Sequence, residues 1–368
     1  MITTSPTNGA GLLKRLMNER GESTGPRRPK VGIAGFYGYG NFGDELFLKV
    51  FAEHLGDEFD LSIVSDLLEK PYFSMDIKEI VAGLDAIIIG GGDLIQPWAT
   101  DPRYFDKALL QKPVFVCGVG VPIRSAKYPS QQVEKDFIVQ RYLRFLSHPN
   151  VKFIHVRDPQ SHTWLIDRIN PPVGVLEAPD IVCSMTLPAV APPSTGKPPI
   201  LGIVTRHRPN RAEPDDYSKV VQLLETALRD GWHVRHIVLG NGRVGIQDVE
   251  DAKRISPLEK QLIYTDDLDV MCRAIGQCTC LASMKFHGTV VATMYGVPSI
   301  VMIATSKNRN FMRRIGREDL LSSFDSEALI DKFLSKPEPI SSSSVEDIKQ
   351  GALEAMYRLR SALRAELC

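Results

Sequence analysis

Two stretches of this 368-residue chain join glycine to carboxylates: Gly38-Tyr39-Gly40-Asn41-Phe42-Gly43-Asp44-Glu45 and Gly90-Gly91-Gly92-Asp93. A third, Gly118-Val119-Gly120, carries glycine alone. Glycine lets the backbone approach a ligand closely, and Asp44 and Asp93 can accept a proton or bind hydroxyl groups. A second group of residues is cationic. Arg206, Arg208 and Arg211 follow the apolar run 200–204, Lys285 follows 278–282, and Lys307, Arg309, Arg313 and Arg314 lie beyond 299–303. Arg206 comes directly after Val204-Thr205, where its guanidinium fork can hold a carboxylate or phosphate. Lys285 and Lys307 rank next as anion binders. An imidazole titrates near neutrality, which suits His287 to proton donation. Plainer roles compete with each of these: Asp44 as a helix cap, His287 packed beside Phe286, Arg313-Arg314 as a solvated face, and Arg157-Asp158 as a structural pair.

Gly38-x-Gly40-x-x-Gly43 also has the spacing of a dinucleotide turn, with Asp66 about 20 residues further on as a ribose-binding acid. Two features argue against NAD. The strand ends near Gly35, so the first glycine comes late, and Asp44 and Glu45 in the first helical turn would repel a pyrophosphate. NAD is therefore the minor reading, and the loop suits a neutral, hydroxyl-rich ligand.

The elements that must position these groups alternate along the chain. Apolar runs at 31–34, 61–64, 86–89, 114–117 and 153–156 read as buried strands, with helical patterns at 45–55 and 131–146 between them. A proline-rich segment at 188–199 then interrupts the pattern. Strands are expected again at 200–204, 233–239, 262–264, 278–282 and 299–303, with helices at 216–230, 268–277 and 288–295. The reading is a disordered leader at 1–28, an N-terminal domain at 29–187, a linker at 188–199 and a C-terminal domain at 200–340. Ser341–Ser344 reads as a flexible spacer, and 345–368 as a long helix that crosses back to the first domain. Each domain is an α/β, doubly wound parallel sheet, and ligands of such sheets bind beyond the carboxyl ends of the strands. Two such domains imply a central cleft.

Composition narrows the partners. Forty-four basic residues balance forty-four acidic ones, which argues against nucleic acid. The six cysteines form no C-x-x-C pair and indicate neither zinc nor a disulfide framework, but buried thiols. No run approaches a membrane span, and the expectation is a soluble cytoplasmic protein. Leu12–Met17, with Lys14 and Arg15, leaves open a peripheral contact with the inner membrane face.

The order of motifs resembles one family. Gly38 to Glu45, Gly90-Gly91-Gly92-Asp93, Arg157-Asp158-x-x-Ser161 and Phe286-His287-Gly288 followed by Gly296-Val297-Pro298 are together similar to the polysaccharide pyruvyl transferases, over about 30–333. The resemblance implies two Rossmann-like domains in a GT-B-like arrangement. It also implies transfer of a pyruvyl group from phosphoenolpyruvate to a hydroxyl pair of a glycan or lipid-linked sugar, with phosphoenolpyruvate as substrate and no cofactor or metal. On that reading His287 protonates the enol methylene and Arg206, Arg208, Lys285 and Lys307 hold the donor. Gly40, Asn41, Gly92, Asp93 and Gly120 face the acceptor, with Asp44 or Asp93 as base. Where the family commonly carries Arg two residues before the histidine, this chain has Lys285, a point charge without bidentate geometry. Two alternatives keep the fold: a glycosyltransferase using a nucleotide sugar, and a non-catalytic glycan-binding relative.

Overall fold

The computed structural model describes residues 27–64, 76–122, 133–191, 196–208, 215–255 and 259–368. Residues 1–26 of the leader expected at 1–28, Asp66, Arg211 and part of the linker lie outside the described residues.

Two parallel sheets organise the chain. The first has the strand order β2-β1-β3-β4-β5-β6, from β1 (Lys30–Ala34), β2 (Asp60–Ile63), β3 (Ala86–Gly92), β4 (Val114–Val119), β5 (Val151–Val156) and β6 (Val175–Glu177). Its connections carry α1 (Phe42–Leu55), α2 (Ile77–Ala82), α3 (Pro102–Phe105), α4 (Asp136–Leu146) and α5 (Pro159–Arg168). The second sheet has the order β11-β10-β7-β8-β9, from β7 (Ile200–Val204), β8 (His233–Ile237), β9 (Gln261–Ile263), β10 (Cys280–Ser283) and β11 (Ser299–Val301). With it run α6 (Ser218–Arg229), α7 (Gly242–Arg254), α8 (Leu268–Gly276), α9 (Phe286–Met294), α10 (Ser306–Arg314) and α11 (Ala328–Leu334). The expected α/β class with two doubly wound parallel sheets holds.

Burial explains why these runs are strands. Ile87, Ile88 and Ile89 in β3 and Val114, Phe115 and Val116 in β4 are all fully buried, as strands covered on both faces must be. Each such side chain contributes about 1.5–3 kcal/mol by leaving water.

Strand order also marks where ligands go. In each sheet the order reverses at one point: between β1 and β3 in the first, and between β7 and β10 in the second. The crevice outside the carboxyl ends at such a switch point is where open α/β sheets bind ligands. The loops after β1 and β3 are the glycine-acid stretches, and the loops after β7 and β10 carry Arg206 and His287.

By packing, the described residues divide into two units. One holds Asp44–Met185, the residues before Gly40, and Lys349–Cys368; the other holds Gly40–Gly43 and Thr186–Ile348. The four-residue loop segment thus packs with the C-terminal unit, although the sequence pattern puts it inside the N-terminal domain. α12 (Ser342–Leu367) begins within the stretch read as a spacer: the Ser344 amide donates to Ser341 Oγ at 3.1 Å, an N-terminal cap that four consecutive serines do not reveal. Further along, Gly351 approaches Pro179, and Arg360 and Arg364 pair with Asp57 and Glu58. Such exposed pairs contribute about 0–1 kcal/mol each, so apolar burial of Ala352, Leu359 and Leu363 holds this helix.

Candidate active site

In the N-terminal unit the first glycine turn is closed by its own helix. The Gly38 amide donates to Glu45 Oε1 at 2.8 Å, so the N–H that a dinucleotide turn would offer to pyrophosphate is taken by a carboxylate. The Tyr37 hydroxyl donates to Gly90 O at 2.5 Å and ties the loops after β1 and β3 together. Burial, followed by the neighbouring Asp44 and Glu45 charges, pushes the Tyr37 phenol well above its ordinary range, so it acts as a neutral donor.

Asp44, Gly92, Asp93 and Gly120 come together at this end of the first sheet. Gly92 lies against Asp44, whose Oδ1 would be 3.3 Å from a Cβ there, and the Gly120 amide donates to Gly92 O at 2.8 Å. Asp93 is ion-paired with Arg157, whose guanidinium also reaches Asp180 at 3.5 Å. Burial works against the Arg157 charge, but Asp93, Asp180 and Asp158 outweigh it and hold its pKa above the usual value. Asp158, expected as a structural partner of Arg157, adds its charge to those acting on that guanidinium and also caps α5, accepting from the Ser161 amide at 2.8 Å and hydroxyl at 3.0 Å. The helix starting at Pro159 takes the aspartate as its N-cap.

Gly40 and Asn41 pack with the C-terminal unit. Asn241 N donates to Gly40 O at 2.7 Å, and Asn41 bridges Gly240, so both sit on the loop after β8 in the C-terminal unit. Gly40 has φ +77°, and a side chain there would overlap Asn241.

His287 and the cations Arg206, Arg208, Lys285 and Lys307 all belong to the C-terminal unit. His287 occupies the first turn of α9, edge-on to Phe286 with ring centroids 5.0 Å apart, and Gly43 packs directly on its Nδ1. Arg206 is exposed at the end of β7, and among the described residues its guanidinium makes no ion pair; the Tyr217 hydroxyl holds only its carbonyl, at 3.2 Å. The other three cations have protein partners. Arg208 binds Asp215 with two nitrogens and lies 4.4 Å over the Phe324 ring, and Lys307 lies 5.6 Å from the Phe286 centroid. Lys285 is only 11% exposed, donating to Leu239 O at 2.6 Å and pairing with buried Asp248 at 2.5 Å. Arg206 thus has the most accessible charge of the four.

Three residues linked to one another beside these cations, His207, Asp248 and Asp251, escaped the sequence reading. Asp248 Oδ1 accepts the His207 amide at 2.7 Å, and Asp251 Oδ2 lies 3.0 Å from His207 Nδ1. Both acids are buried on α7, a helix the hydrophobic pattern did not announce because Gly242, Gly245 and six charged residues dilute it. The signal present was Asp248-x-x-Asp251, two acids on one helical face. Among the described residues no group of three or more His, Cys, Asp or Glu side chains could hold a metal ion. No described helix is long and apolar enough to cross a membrane. Five cysteines are buried, while Cys368 is exposed.

The family model "Polysaccharide pyruvyl transferase" matches residues 41–306. This chain belongs to that family. No curated protein matches it, and the solved structures it resembles share little sequence with it. A putative UDP-N-acetylglucosamine 2-epimerase from Listeria monocytogenes shares 13% identity at TM-score 0.57, covering 92% of this chain and 97% of that one. The S. aureus MnaA–UDP co-structure shares 10% at TM-score 0.58, covering 93% and 98%. UDP-N-acetylglucosamine 2-epimerase from Rickettsia bellii shares 11% at TM-score 0.54, covering 92% and 97%. At these identities the likeness is one of fold. The pyruvyl transferase match adds what the fold cannot, a transferase family, and it spans the loops that hold Asp44, Asp93, Arg206 and His287.

Proposed function

We propose that this protein transfers the pyruvyl group of phosphoenolpyruvate to two hydroxyls of a glycan or glycolipid, forming a pyruvate ketal and releasing phosphate. Family membership supports the reaction class. The observation that carries the assignment of residues is the position of Arg206, an accessible guanidinium at the switch point of the second sheet, on the strand beside the one that leads to His287. Arg206 holds the carboxylate or phosphate of the donor, and His287 protonates the methylene carbon as the first hydroxyl attacks C2. Departure of phosphate and attack by the second hydroxyl complete the ketal. Asp44 is the better candidate to take a hydroxyl proton, since Asp93 is engaged with Arg157.

The test is direct. Purified protein is incubated with phosphoenolpyruvate and a panel of glycans and lipid-linked sugars in heavy water, and products are read by mass spectrometry and NMR. The expected result is a ketal with deuterium in its methyl group and one phosphate released per ketal. Transfer of a sugar from a nucleotide donor, with no pyruvylated product, would replace this reading by a glycosyltransferase.

A further inference from the structure

We infer that His207 is a second proton-transfer residue of this reaction, serving the departing phosphate while His287 serves the methylene carbon. The inference rests on the proposed pyruvyl transfer. Its starting point is proton balance. Two acceptor hydroxyls lose two protons: one ends on the methyl carbon, and the other leaves with phosphate as the C2–O bond breaks and its electron pair goes to the phosphate oxygen. Two proton deliveries at different atoms call for two groups, and His287 supplies one.

His207 has the geometry for the other. It stands one residue beyond Arg206, on the same loop at the carboxyl end of β7. Its Nδ1 lies 3.0 Å from Asp251 Oδ2, and its backbone amide donates to Asp248 Oδ1 at 2.7 Å. A carboxylate at Nδ1 fixes the tautomer and orientation of an imidazole and leaves Nε2 to exchange the working proton. Asp251 is held in turn by Arg254. The imidazole is 38% exposed while Asp251 is 7% exposed, so the orienting acid is sealed and the ring is reachable. A loop fastener needs only the backbone bond to Asp248, not a half-exposed ring braced from behind.

Register brings the two histidines to one edge. Val204 of β7 pairs with Ser283 of β10, and Arg206 and Lys285 each stand two residues beyond that pair. Asp248 then joins the two loops, accepting from His207 N and pairing with Lys285.

The experiment compares the parent with His207→Ala, His207→Gln and Asp251→Asn at saturating phosphoenolpyruvate. Both His207 variants are expected to lose roughly 10²- to 10⁴-fold in kcat, the range for losing a general acid, with KM for phosphoenolpyruvate within about threefold. Imidazole added to His207→Ala should restore part of the rate, which a purely structural role would not allow. Asp251→Asn should lower kcat at least roughly tenfold by favouring the wrong tautomer. His207→Gln guards against misfolding, since its amide can still bond Asp251 but cannot carry the proton. Near-parent kcat in His207→Gln, or a loss confined to KM, would overturn the inference while leaving pyruvyl transfer intact. A parent that makes no ketal would instead overturn the function, and this inference with it.

Discussion

The α-carbon of Gly43 rests against the imidazole of His287, and any side chain at position 43 would occupy the space of Nδ1. A residue of the first glycine loop therefore fixes the ring proposed as the acid of the second sheet. Gly43→Ala should swing that ring out of place and cut kcat by roughly 10- to 100-fold, the scale of a misplacement of about 1 Å. Phosphoenolpyruvate affinity, measured by calorimetry on the same sample, should change far less. Equal turnover in parent and variant would mean that the ring finds its working position without Gly43.

Arg206 carries the binding prediction. A charge-assisted hydrogen bond contributes about 1.5–3 kcal/mol, so Arg206→Ala should weaken phosphoenolpyruvate roughly 10- to 150-fold. Arg206→Lys should recover only part of this, because an ammonium group cannot form the fork. Titration calorimetry decides, and parent-like affinity in Arg206→Ala would make this residue surface charge.

Much of the architecture was legible because buried parallel strands are written as local apolar runs; β7 was read to the residue as 200–204. β6 was not, since Val175–Glu177 is a half-buried edge strand with no apolar run. The site was read more unevenly. Sequence position put Arg206 and His287 at strand ends, where the structure has them, but could not say which cations were already neutralised. Lys285 and Arg208 look as available as Arg206 in the sequence, and only tertiary packing sets Asp248 and Asp215 against them. Asp248 and Asp251 went unread, because which face of a polar helix is buried depends on what covers it.

That neutralisation can be tested by stability. Asp248→Asn removes the partner of a nearly buried lysine charge, and breaking such a pair costs about 3–5 kcal/mol. Chemical denaturation should show the loss in Asp248→Asn. The double variant Asp248→Asn, Lys285→Met should regain most of it, since no charge is then left unpaired. If the double variant is no more stable than the single, Lys285 contributes nothing to the cost.

His236 predicts how the C-terminal unit responds to acid. Its Nε2 lies 2.9 Å from Thr205 Oγ1 in the interior of the second sheet. Burial first, and the nearby Lys260 charge second, lower its pKa from 6.5 to about 3. The folded pKa lies below the unfolded one, so the unfolded chain takes up the proton first. The stabilisation is complete above about pH 6.5 and is lost as pH falls through the interval toward 3, at up to about 1.4 kcal/mol per pH unit. Between pH 7 and pH 5 this amounts to about 2 kcal/mol. His236→Gln keeps a hydrogen bond to Thr205 but has no proton to gain, so its stability should fall by that much less over the same interval. Urea denaturation of parent and variant at the two pH values isolates the effect, because every carboxylate is common to both. Parallel stability profiles would show that His236 takes up its proton as readily in the folded unit as in the unfolded chain.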